Sequence, residues 1–265
     1  MNEQVISDVL EKKELSGIDK KLVTKIIESL LDSKTKVIIE EGRFKTECYK
    51  SFVKKVRAVL RRQYGVFQNT KMDRNELLTK NDFTGLLKSH KSSFERLPYY
   101  EEVYNKIFTI TGMPSSILDI GCGMNPVSFE FMHLLNVEYV ACDINGKDLT
   151  IIQDYFNKKG ITGRTVLFDA ESSDYEFGKI FDTTFLFKLV EILETTKSHR
   201  LTEDIVKKVP AKWVIVSFST KTLSGRNMTG KRRTWFEVML NRLNMPFEYF
   251  EIPNELFYIV RKSNV

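Results

Sequence analysis

The sequence predicts a doubly wound α/β domain with a seven-stranded, mostly parallel sheet, preceded by a helical extension. Three observations carry this. Short apolar runs alternate with amphipathic helical stretches through the second half of the chain, and a terminal β pair closes it. The stretch Ser116-Ile-Leu-Asp-Ile-Gly-Cys-Gly-Met-Asn-Pro126 has the form of a buried strand, a glycine turn and a helix start, with Pro126 at a first helical position where its missing N–H costs nothing. The third is a change of character: the part before residue 89 is helical and basic, whereas residues 89–265 carry the alternation.

In chain order, residues 5–13 and 19–31 are amphipathic helices separated by Ser16-Gly17, and residues 37–41 continue weakly as helix until Gly42. Residues 46–64 form the strongest helix of this half, with Tyr49, Phe52, Val53, Val56, Val59 and Leu60 as its apolar stripe. A short helix is expected near 74–79, residues 83–88 lead into His90, and a further helix over 99–109 delivers the chain to the first strand at 117–120. Residues 127–135 read as helix, 137–142 as the second strand, 146–159 as helix and 164–168 as the third strand. Strands at 181–187 and 213–218 follow, with helix at 190–193 and 201–208 between them. Residues 221–233 form a basic loop, 234–243 a helix, and 247–252 with 256–261 a β pair turning at Pro253-Asn254.

Glycines in a strand-to-helix turn let backbone approach a ligand where a Cβ would clash. A dinucleotide site wants a third glycine where Pro126 stands, so that pattern fails. Gly121 and Gly123 with Asp119 instead resemble the D-x-G-x-G turn of the doubly wound methyltransferases, which hold S-adenosylmethionine; a tight turn without a ligand is the plain alternative. Asp143 ends the second strand 20 residues past Gly123, where an acidic side chain accepts from ribose hydroxyls; capping the next helix is its bland role. Asp169, ending the third strand, is placed for an adenine amino group or for a helix cap, and Arg96 for a bidentate clamp on a carboxylate or as a surface arginine in the first turn of a helix. Ile144, Ala170 and Lys188 adjoin strand ends and join the expected cofactor set.

The 265 residues suffice for one such domain and an extension, and no apolar run approaches the roughly 20 residues of a membrane span. The opening Met-Asn-Glu-Gln-Val does not read as a secretory leader. Cys48, Cys122 and Cys142 show no metal-ligand spacing and are odd in number, which points to free thiols in a reducing, cytoplasmic protein. The net charge of +6 is placed unevenly: residues 1–112 carry 22 Lys+Arg against 16 Asp+Glu, and the remainder carry 19 of each. A local basic excess favours a polyanion, most plausibly RNA. Lys50, Lys54, Arg57 and Arg61 line one face of the helix at 46–64, flanked by Lys55 and Arg62, and no Asp or Glu occurs from Cys48 to Met72. A solvated helix face is the alternative reading of that stripe. His90, taken alone, reads as a structural histidine.

Methyl transfer from a sulfonium asks the protein mainly to position the acceptor and exclude water. The Asn/Asp-Pro-Pro-aromatic turn that commonly handles exocyclic amines is absent after the fourth strand, where Phe187-Lys-Leu-Val-Glu191 stands. Neither Cys122 nor Cys142 is placed as a nucleophile toward pyrimidine C5. Guanine N7 carries a lone pair and no proton, so it needs no general base and no catalytic side chain is assigned.

Several stretches together resemble the aminoglycoside-resistance 16S ribosomal RNA methyltransferases of the Arm/Rmt/Kgm type, which methylate guanine N7 in the decoding site. They are His90-Lys-Ser-Ser-Phe-Glu-Arg-Leu97, Leu118-Asp-Ile-Gly-Cys-Gly-Met-Asn-Pro126, Leu186-Phe-Lys-Leu-Val-Glu-Ile-Leu-Glu194, Val216-Ser-Phe-Ser-Thr-Lys-Thr-Leu-Ser-Gly-Arg226 and Glu255-Leu-Phe-Tyr-Ile-Val-Arg-Lys262. The resemblance implies a class I S-adenosylmethionine-dependent fold whose N-terminal helical domain docks on the 30S subunit. It further implies that Arg96 holds the cofactor carboxylate, Asp143 the ribose and Asp169 the adenine, with Leu189 lining the pocket. Lys221, Arg226, Lys231, Arg232 and Arg233, and on the helical side His90, are then expected beside the RNA. Gly-Cys-Gly stands where several members have Ala-Cys-Gly, and the N-terminal half diverges. A methyltransferase of transfer RNA or a small molecule, and a non-catalytic RNA-binding assembly factor, are the competing functions. The expected state is a monomer yielding S-adenosyl-L-homocysteine as product.

Overall fold

The structure is a computed structural model and describes residues 3–171, 174–194, 198–221, 228, 230 and 232–262. Four helices open the chain: α1 (Glu3–Leu10), α2 (Lys20–Leu30), α3 (Ser33–Glu40) and α4 (Glu47–Gln63). The last three start as their sequences dictate, with Asp19, Asp32 and Thr46 accepting from backbone N–H groups of the first turn. Their apolar faces meet in one core that includes Val5, Val9, Val23, Ile27, Val56 and Leu60.

Helices α5 (Arg74–Thr79), α6 (Phe83–Lys88), α7 (Lys91–Arg96) and α8 (Tyr100–Thr111) lead into the sheet. Leu86 and Leu87 lie in the same core as Tyr104, Tyr139 and Phe185, so a division of the chain at residue 88 crosses a packed core. The strands are β1 (Ser116–Ile120), β2 (Glu138–Asp143), β3 (Gly163–Leu167), β4 (Phe181–Phe187), β5 (Ala211–Ser219), β6 (Phe247–Ile252) and β7 (Glu255–Arg261). Their order is β3-β2-β1-β4-β5-β7-β6, parallel except for β7, which runs antiparallel to both β5 and β6. Helix α9 (Gly146–Lys159) joins β2 to β3, α10 (Val190–Leu193) and α11 (Arg200–Lys208) join β4 to β5, and α12 (Thr234–Arg242) leads to β6. Strands β1 and β4 are apolar almost throughout because helices cover both faces of a parallel sheet. Chain order reverses between β1 and β4, which opens a crevice beyond their C-terminal ends.

Two expectations are corrected here. Residues 125–132 form a 3-10 helix, not the expected α-helix at 127–135, and His133 in the left-handed region ends it. The basic stripe of α4 is not uniformly exposed. Arg57 is 15% exposed; it donates to the carbonyls of Asp8 and Val9 at the end of α1 and pairs with Glu11 at 2.9 Å. Arg61 pairs with Glu14 at 2.8 Å. The acidic partners missing from residues 48–72 thus come from the loop after the first helix, and Arg57 serves the orphan carbonyls of α1. Lys54, Lys55 and Arg62 remain exposed, and Lys50 pairs with Glu47 on the surface.

The helical core is tied to the sheet through α9. Arg74 donates to Asp148 at 2.5 Å and to Ser89, and Tyr64 donates to the same Asp148, which is buried. Removing one partner of a buried ion pair leaves an uncompensated charge. Arg74→Ala should therefore lower unfolding free energy by about 3 kcal/mol in urea titration; a change below about 1 kcal/mol would mean the pair does not hold this junction.

Candidate cofactor and RNA-binding site

The crevice at the switch point is lined by the glycine turn, the ends of β2 and β4, the segment after β3, and α10. Its remaining wall comes from the helical part, through Leu22, Gln63, Tyr64 and Phe67. Gly121 and Gly123 both sit at positive φ, +67° and +49°. A Cβ on Gly121 would lie 2.6 Å from the Leu189 side chain, and one on Gly123 would lie 2.7 Å from the His90 ring. Both the conformation and the close approach therefore require glycine.

Asp143 reaches across from β2. One oxygen accepts from the Gly123 N–H at 2.9 Å and the other from the Asn145 N–H at 3.0 Å, so the carboxylate fixes the turn while facing the crevice. Burial, reinforced by the neighbouring charge of Asp148, pushes its carboxyl up to about 6. Ile144, Asp169 and Ala170 line the same crevice. Asp169 also accepts from Lys25 of α2 at 3.0 Å, and Glu171 accepts from the same ammonium at 3.2 Å, so helix α2 is strapped across this end.

At the opposite end stands Arg96, only 1% exposed. Its guanidinium meets both oxygens of Glu255 at 2.8 and 3.2 Å, Asn125 at 2.9 Å and Ser92 at 3.1 Å, and it lies 4.6 Å over the Phe187 ring. Burial alone would depress the guanidinium, but Glu255 holds it above its ordinary value; Arg96 and Lys188 in turn hold the buried Glu255 below the usual carboxylate range. The carboxylate that Arg96 clamps here is that of Glu255. Lys188 follows β4 with φ +54°, kept there by its N–H bonding to Ser217, and its ammonium reaches Glu95 at 2.8 Å and Glu255 at 3.5 Å.

Other expected site residues fall elsewhere. Asp119 does not line the crevice; it lies buried behind the turn and accepts from Asn125 at 2.9 Å and Tyr139 at 2.7 Å, so it supports the turn from beneath. His90 is 8% exposed, stacks on Phe67 and packs on Gly123, and burial with the nearby Arg74, Arg96 and Lys188 lowers its pKa well below the ordinary value. An imidazole buried between Phe67 and the glycine turn is no phosphate contact, which corrects its expected RNA-facing place. Arg233 is 11% exposed and turns inward to Glu191 and the Ser219 carbonyl, tying the loop to β5. Arg232 pairs with Glu237 while covering the Tyr249 ring. Lys221 lines a neighbouring cleft, and Arg226 and Lys231 lie outside the described residues. Asn125 and Glu255 were missed by sequence reasoning; a lone acid in the apolar run 255–260 was the available signal for the second.

The sheet order, the glycine turn and the two carboxylates beyond it are those of the class I S-adenosylmethionine-dependent methyltransferase fold. Residues 50–259 match the family described as ribosomal RNA methyltransferase (FmrO), and the chain belongs to that family. It is similar to the 16S rRNA (guanine(1405)-N(7))-methyltransferases of Frankia casuarinae, 30% identical over 66% of this chain and 62% of that protein, and of Proteus mirabilis, 28% identical over 67% and 64%. The chain thus spans just over three fifths of the length of the curated relatives it matches. Among solved structures, the 16S rRNA methylase RmtB superposes with TM-score 0.75 at 23% identity, covering 99% of both chains. RmtF in complex with S-adenosyl-L-homocysteine superposes with TM-score 0.77 at 22% identity, covering 99% of this chain and 100% of that one.

The raised carboxyl of Asp143 sets a pH dependence. It is ionised above about pH 6 and neutral below, and the neutral form loses acceptor capacity toward ligand hydroxyls. Calorimetric affinity for S-adenosylmethionine should fall as pH drops below about 6, by up to tenfold per unit. Asp143→Asn should bind weakly at pH 7.5 and lose this dependence, whereas an unchanged profile would remove the assignment.

Proposed function

We propose that this chain transfers the methyl group of S-adenosylmethionine to N7 of a guanine in the decoding-site helix of 16S ribosomal RNA, within the 30S subunit. The observation that carries the reading is the switch-point crevice, with Asp143 and Asp169 on one side and the Arg96 cluster on the other, in a chain of a ribosomal RNA methyltransferase family. When bound, the cofactor supplies an already activated methyl. Asp143 would receive the ribose hydroxyls, and Asp169 with Ala170 the adenine. Arg96 would take the methionine carboxylate by exchanging its bonds to Ser92 and Asn125. Gly121, Ile144 and Leu189 would close the apolar walls.

N7 offers a lone pair and releases no proton, so the protein's part is to hold the base in line and keep water out. The amine-type proline turn is replaced after β4 by Lys188, in agreement with an acceptor that needs no deprotonation. RNA docking would fall to the exposed Lys50, Lys54, Lys55 and Arg62 on α4 and to Lys221, which lines the neighbouring cleft, with Arg226 and Lys231 of the same basic stretch of sequence. The enzyme would act as a cytoplasmic monomer.

Tritiated S-adenosylmethionine offered with 30S subunits, naked 16S RNA and transfer RNA should label only the 30S subunits, at a guanine that borohydride and aniline then cleave. Label on transfer RNA instead would overturn the substrate assignment. Reversal of Lys54 and Lys55 to Glu should weaken 30S binding about tenfold or more at 100 mM salt while cofactor affinity stays at wild type. Unchanged 30S affinity would move the docking surface away from α4.

A further inference from the structure

A second cleft, of about 460 Å³, opens beside the cofactor crevice and shares with it only Phe67, Lys188 and Ile192. Its size falls in the range of sites that enclose small ligands. Among the described residues Arg62, Lys91 and Lys221 line it together with the shared Lys188, and Val66, 40% exposed, joins Phe67 as an apolar wall. Of its carboxylates, Glu191 is fully engaged, one oxygen by Arg233 and the other by the Ser219 N–H. Glu194 accepts from Thr202 at the start of α11. Glu95 differs: it is part-exposed, lines this cleft and not the cofactor crevice, and accepts from Lys188 through one oxygen, Oε2, at 2.8 Å.

We infer that this cleft receives the target guanine and that Glu95 and Lys188 together read its Watson–Crick edge. The inference rests on the proposed guanine-N7 reaction and names the residues that select the base. Guanine presents, in order along its perimeter, the N2 amino donor, the N1–H donor, the O6 acceptor and the N7 lone pair. Glu95 accepts from N2 and N1, and the Lys188 ammonium donates to O6. Because Lys188 also lines the cofactor crevice, the next atom along the perimeter, N7, turns toward that crevice. Adenine offers an amino donor where Lys188 donates and a bare nitrogen where Glu95 accepts, so the pair rejects it. The base is extruded from its helix and lies against Val66 and Phe67, while the surrounding cations hold the flanking phosphates.

The test uses the full chain and 30S subunits reconstituted with either guanine or inosine, which lacks the N2 amino group, at the methylated position. Wild-type enzyme should prefer guanine at least tenfold in kcat/KM. Glu95→Gln preserves an oxygen for Lys188 but lacks the second acceptor; it should lose tenfold or more in kcat on guanine subunits and most of the guanine-over-inosine preference. Its cofactor affinity and 30S affinity should stay within twofold of wild type, which a merely structural Glu95 would not combine with a lost preference. Glu95→Asp should recover part of the preference. Wild-type preference in Glu95→Gln overturns the base-reading role. Absence of N7 methylation by the wild-type enzyme on any guanine-bearing subunit overturns the functional reading, and this role with it.

Discussion

The ion pair between Arg96 and Glu255 organises the site. Moving two charges out of water costs several kcal/mol per ion, and attraction between them offsets that only where every remaining donor and lone pair is used. Here they are used by Asn125, Ser92 and Ser217, and by Lys188 on the flank. Those partners belong to the glycine-turn segment, α7, β5 and the end of β4. One buried pair therefore fixes the relative position of the elements that converge on the crevice. It also explains why β7 enters the sheet where it does: Glu255 is its first residue and stands opposite Ser219 of β5.

The fold was largely legible in the sequence. Strands buried on both faces read as apolar runs, and Asn145 and Gly160 bound α9 at the residues expected. What escaped is tertiary. The stripe on α4 looked free because no acid occurs nearby in sequence, yet the partners of Arg57 and Arg61 lie 46 and 47 residues away. No local window reveals such pairs. Asp119 was placed at the ligand by motif; both faces of β1 are covered, and its side chain found Asn125 and Tyr139 on the inner side. His90 was given to the RNA by resemblance, while its ring fills the space that Gly123 leaves open.

Lys188 joins the two clefts physically. A non-glycine residue in the left-handed region persists only where its surroundings over-determine it, and here its N–H is bound to Ser217 and its ammonium lies between Glu95 and Glu255. The backbone conformation aims the side chain along the boundary, so the strain after β4 and the wall between the two clefts are one arrangement.

The helical part supplies Leu22, Gln63, Tyr64 and Phe67 to the cofactor crevice, and Lys25 closes on Asp169 and Glu171. It is therefore no exchangeable cassette. Grafting another protein's ribosome-binding helices onto this sheet to redirect it to a new RNA would remove a wall of the cofactor site at the same stroke. In this lineage, change of docking surface and maintenance of cofactor binding have to proceed through the same few helix positions.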